Sequence, residues 1–116
     1  MSPPLLRILV ADHHALYRDA LVTAIAGFAD MELAAVATDG REALSLIVDQ
    51  RPDVALVATR LPVLSGFVVA ERVAELRLPT AVLLAGDGQG GALSKDTPLA
   101  EIEAAIRAAA ARRPIG

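Results

Sequence analysis

Asp12-His13-His14, Ala58-Thr59, Ala85-Gly86-Asp87 and Ser94-Lys95 are points along this chain where polar or reactive side chains follow on short apolar runs. Carboxylate, imidazole, hydroxyl and ammonium are the group types that hold metal ions and phosphoryl groups. The details narrow that chemistry. His13 and His14 are adjacent, so their side chains are expected to diverge, and the chain has no cysteine and no third histidine. A solvated or capping role is therefore expected for them, and no metal site. The run Gly86-Asp87-Gly88-Gln89-Gly90-Gly91 invites a phosphate cradle. It lacks the Lys-Ser/Thr of a P-loop and does not match a dinucleotide fingerprint. Nucleophile, base and orienting group do not converge, so no enzyme is expected.

Those positions matter because of the elements that precede them. RILVA (7–11) reads as a first strand, and the apolar residues of 14–28, Leu16, Ala20, Leu21, Ala24, Ile25 and Phe28, recur at helical spacing. MELAAVA (31–37) is a second strand. A Thr38-Asp39-Gly40 turn then precedes a helix with Ala43, Leu44, Ile47 and Val48 on one stripe. DVALVA (53–58) is a third strand, 66–76 a third helix and TAVLLA (80–85) a fourth strand. Four glycines within 86–91 disfavour a helix there. ALS (92–94) is a short fifth strand, and Pro98 opens a last helix with Ile102, Ala105, Ile106 and Ala109 inward. Such alternation implies a doubly wound α/β fold with a five-stranded parallel sheet and functional groups at the strands' carboxyl ends.

Composition agrees with one domain over 1–116. Apolar residues are 54% and charged residues 22% of the chain, enough to bury a core. A net charge of −3 with interspersed signs argues against direct nucleic-acid contact. No window approaches the roughly 20 apolar residues of a membrane span, and no signal sequence is evident, so a soluble cytoplasmic protein is expected.

RILVADHHALYRDAL, TDGREAL, RPDVALVATRLPVLSGF and LSKDTPLAEIEAAIRA together resemble the receiver domain of bacterial two-component response regulators, most of all those joined to a LuxR/NarL-type helix-turn-helix. The resemblance spans 7 to 111 and implies the flavodoxin-like, CheY-like fold. It also implies a site in which an acidic pair and a strand-end aspartate hold Mg²⁺, that aspartate takes the phosphoryl group, and a hydroxyl and a lysine read it. Carried over, the acidic pair is Asp12 and His13, the acceptor position is Ala58, the hydroxyl position is Ala85 and the lysine is Lys95. Only Asp12 and Lys95 match. A degenerate pseudo-receiver follows, with Mg²⁺ binding not expected, no other cofactor, and a histidine kinase either absent or non-phosphorylating. An Asp12–Lys95 ion pair is expected instead.

Substitutes for the acceptor are few. Asp53 starts the same strand about 16 Å away at roughly 3.3 Å per residue. Thr59 should face the opposite side unless the strand has ended. Asp87 is the remaining stand-in. The family's fourth helix is expected to be shortened or missing, because about a dozen residues are lacking between Ala85 and Lys95. The expected function is a phosphorylation-independent regulatory and dimerisation module of a transcription regulator. A DNA-binding helix-turn-helix is expected outside this chain, after a linker starting at 112–116. Dimerisation is expected through Leu21, Ile25, Ile102 and Ile106. The competing expectation is a ligand-gated module that senses a small molecule at the altered pocket.

Overall fold

Residues 4–114 are described in the computed structural model. Among them the elements follow in the order β1 (Leu6–Ala11), α1 (Ala15–Ala26), β2 (Met31–Ala37), α2 (Gly40–Gln50), β3 (Val54–Ala58), α3 (Gly66–Glu75), β4 (Ala81–Gly86), β5 (Leu93–Ser94) and α4 (Leu99–Ala111). The sheet is parallel in the order β2-β1-β3-β4-β5. Its switch point lies between β1 and β3, so a crevice opens at the carboxyl ends of these two central strands. The 112–116 linker reading falls partly on 115–116, outside the described residues.

Strand alternation divides the core into two layers. Ile8, Val10, Val54 and Leu56 pack against α1 and α4, while Leu9, Ala11, Ala55 and Val57 pack against α2 and α3. All five residues of β3 are buried, as a central parallel strand covered on both faces requires. The helices start on chemistry visible in the chain. Asp39 accepts from the Glu42 N–H at 2.8 Å, and Glu42 reaches back to the Thr38 N–H at 2.8 Å. Ser65 accepts from the Val68 N–H at 3.2 Å at the head of α3.

Two expectations are corrected. Leu16 is 89% exposed, because the buried stripe of α1 runs through Tyr17, Leu21 and Ile25, and a one-residue step rotates a side chain about 100° around a helix. Leu21, Ile25, Ile102 and Ile106 are at most 4% exposed and form the α1/α4 layer of the core. Side chains filled by the intramolecular core have no surface left for a second copy, so these four residues are not a dimer face.

The absence of a helix after β4 has a geometric consequence. Six residues, Asp87–Ala92, connect β4 to β5. Gly88, Gly90 and Gly91 all take positive φ, at 86°, 63° and 83°, which turns the chain back sharply. A parallel neighbour entered from the far end of the sheet needs a crossover of about a dozen residues or more. The short link cannot descend that far, so β5 pairs only at the tip of β4, Ala85 with Leu93 and Gly86 with Ser94.

Candidate functional site

The carboxyl ends of β1, β3, β4 and β5 bring the chemistry together. Asp12 follows β1 directly and is 1% exposed. Its Oδ1 accepts from the His14 N–H at 2.9 Å, holding the turn that enters α1, and its main-chain carbonyl accepts from the Arg18 guanidinium at 3.2 Å. Ala11 pairs with Val57, so continuing the register one step sets Asp12 alongside Ala58. Ala58 in turn pairs with Ala85 across β3 and β4. Both alanines are buried, at 2% and 3% exposure.

Lys95 reaches into this corner. Its Nζ lies 2.9 Å from Asp12 Oδ2, 3.2 Å from His14 Nδ1 and 4.8 Å from the centre of the Tyr17 ring. One ammonium therefore meets a buried carboxylate, an imidazole nitrogen and an aromatic face. The Lys95 N–H donates to the Gly86 carbonyl at 2.9 Å, which ties the lysine's backbone to the end of β4. Tyr17 Oη is buried without a hydrogen-bond partner among the described residues. Its pKa is raised first by burial, then by the negative charges of Asp12 and Asp96.

A small cavity of about 180 Å³ opens beside the lysine, lined by His14, Thr59, Arg60, Gly86, Asp87 and Lys95. Thr59 belongs to it because β3 stops at Ala58, and the following bend frees its side chain from strand alternation. The close approach depends on Gly86, where an added Cβ would stand 2.2 Å from Thr59 Oγ1. Asp87, the stand-in carboxylate, lines the same cavity but folds onto its own loop, its Oδ1 accepting from the Gln89 N–H at 3.0 Å. Asp53 is at the opposite end of the sheet, accepting from the Arg7 N–H at 2.8 Å.

Asp12, Lys95, Ala58 and Ala85 thus occupy the strand ends, and the Asp12–Lys95 pair has formed. The histidines depart from the sequence reading. Their rings do not diverge: the centroids are 4.1 Å apart with the planes tilted by 39°. Asp12, His13 and His14 offer ligand atoms within 4.8 Å of one another, a mixed oxygen and nitrogen set. Sequence reasoning expected a solvated or capping role for His14, whose side chain is 61% exposed, and missed its bond to Lys95. The only local hint was its place two residues after Asp12, the spacing of an aspartate that caps its own turn.

A profile for the response regulator receiver domain matches residues 8–91, and the chain belongs to that family. It is similar to the transcriptional regulatory protein NarL of Mycobacterium tuberculosis, 35% identical over 118 residues that cover 90% of this chain and 55% of the relative. The chain therefore spans about half the length of that curated relative. The solved receiver domain of the response regulator NarL from Mycobacterium tuberculosis superposes with a TM-score of 0.89 at 35% identity, covering 96% of this chain and all of that one. A LuxR-family DNA-binding response regulator from Staphylococcus aureus shares the fold at a TM-score of 0.85 and 20% identity, covering 91% of this chain and 99% of that one. Among the described residues, no helix is long and apolar enough to cross a membrane.

Proposed function

We propose that this receiver domain is a pseudo-receiver, a regulatory module whose state does not depend on phosphoryl transfer, within a longer cytoplasmic transcription regulator that carries its helix-turn-helix outside this chain. The observation that carries the reading is the pairing of Ala58 with Ala85 at the strand ends while Lys95 already engages Asp12. Ala58 has no nucleophile, and Ala85 has no hydroxyl to follow a phosphoryl oxygen. The residues present do not fit Mg²⁺. That ion favours oxygen ligands in octahedral geometry, and the clustered ligand atoms come from one carboxylate and two imidazoles with a competing ammonium beside them, while Asp87 is bonded to its own loop. With Ala58 at the acceptor position, a histidine kinase has no carboxylate at that position to load. Regulation then acts through association, as a homodimer using surface residues other than Leu21, Ile25, Ile102 and Ile106.

The test is incubation with acetyl phosphate and Mg²⁺ followed by intact-mass spectrometry. An unchanged mass is the expected result, and addition of one phosphoryl group would overturn the reading. Sedimentation equilibrium without phosphodonor should show a concentration-dependent dimer.

A second reading, a ligand-gated module, is favoured by the cavity of about 180 Å³, because Lys95, Arg60 and the Thr59 hydroxyl suit a small anion. A thermal shift with a panel of small carboxylates and phosphate separates the two readings. Stabilisation that requires Lys95 supports gating.

A further inference from the structure

We propose that the open edge of β4 is a docking site for an extended, strand-forming segment of a partner protein, with apolar side chains at alternate positions and a carboxylate at the end that meets Arg77 and Arg112. In β4 the Ala81 N–H donates to the Asp53 carbonyl and the Ala85 carbonyl accepts from the Thr59 N–H, so the odd-numbered residues turn their backbone groups to β3. By the alternation of a strand, Val82 and Leu84 turn theirs the other way. On that side β5 pairs only with Ala85 and Gly86. Among the described residues nothing pairs with the N–H and C=O of Val82 or the N–H of Leu84. These are groups that a sheet edge offers to an incoming strand.

The side-chain setting matches that backbone vacancy. A groove of about 890 Å³ runs around the edge of β4, from Ala70 and Ala74 of α3, past Ala81 and Leu83, to Ala109 of α4. Residues Ala81–Leu84 are only partly buried, whereas β3 beside them is buried throughout. The charge is one-sided. Arg77 and Arg112 line the same groove, both exposed, and neither belongs to an ion pair among the described residues. A second copy related by a two-fold axis would pair antiparallel, which sets each arginine pair at the far end of the shared edge from the other. An acidic, apolar strand instead meets backbone, groove and charge together. Both arginines stand near the start of β4, so a parallel strand carries its carboxylate at its amino end.

The probe is the peptide Ac-Asp-Asp-Val-Thr-Val-Thr-Val-NH2, titrated into the ¹⁵N-labelled protein and followed by amide chemical shifts. The expected result is saturable movement of the Val82 and Leu84 amides. Binding should weaken about tenfold when Lys-Lys replaces Asp-Asp, and similarly in the R77N/R112E variant. Asn at position 77 tolerates the left-handed backbone there, where φ is 53°. The proposal is overturned if the two amides do not move up to the solubility limit of the peptide, or if the lysine peptide binds equally well. It is also overturned if the same amides shift with protein concentration alone, which would assign the edge to a second copy.

Discussion

Lys95 Nζ stands 2.9 Å from Asp12 Oδ2, and through this pair the last strand is fastened to the first. The carboxylate is almost wholly buried, with its side chain 2% exposed, while the lysine side chain keeps 27% of its surface. Removing the lysine therefore strands a buried charge. Lys95→Met is expected to lower stability by about 2 kcal/mol, below the range for fully buried pairs because water still reaches the ammonium. Urea unfolding measures it, and an unchanged midpoint would mean that the pair contributes nothing to holding the fold.

Ile106 is fully buried in the layer between α4 and the sheet. Ile106→Ala should cost about 3 kcal/mol through lost transfer energy and the cavity left behind. Chemical denaturation together with sedimentation separates core from interface. A weakened dimer at unchanged monomer stability would return this side chain to the surface.

The chain has one tyrosine, so phenolate absorbance reports Tyr17 alone. Its midpoint should lie above 10.0, raised by burial first and by Asp12 and Asp96 after it. Asp12→Asn should bring the midpoint down, since one of the two repelling charges disappears. The sign for stability follows from linkage. The folded chain disfavours the phenolate, so this contribution is fully present below the unfolded pKa of 10.0 and is lost as the pH rises through the folded value. Alkaline unfolding that is indifferent to Tyr17→Phe would contradict this.

Val63 takes a φ of 73° in the loop between β3 and α3, a left-handed conformation that a β-branched side chain strongly resists. The residue is 65% exposed, so little packing is at stake. Val63→Gly should raise stability by about 1 kcal/mol, the relief of backbone strain exceeding the extra freedom of glycine in the unfolded chain. A lower melting temperature for the variant would show that the side chain packs more than its exposure suggests.

The order of elements, the parallel sheet and the missing helix after β4 were legible in the chain, because periodicity, caps and glycine content act over a few neighbouring residues. So were the strand ends carrying Asp12, Ala58, Ala85 and Lys95. What local pattern could not decide was which face of a helix meets the sheet and which distant groups meet one another. Leu21, Ile25, Ile102 and Ile106 lie on apolar stripes whose pattern fits core and dimer face alike, and only their packing across Ile8, Val10 and Leu56 assigns them to the core. His14 and Lys95 are 81 positions apart, and their contact exists because β1 and β5 end on the same side of one sheet. Thr59 turned into the cavity because β3 stopped one residue earlier, and β4 kept an open edge because six residues cannot carry the chain back down the sheet. Local chemistry sets each element, but register, strand length and the span of a loop are tertiary quantities, and they determined where the charges and the unpaired backbone came to lie.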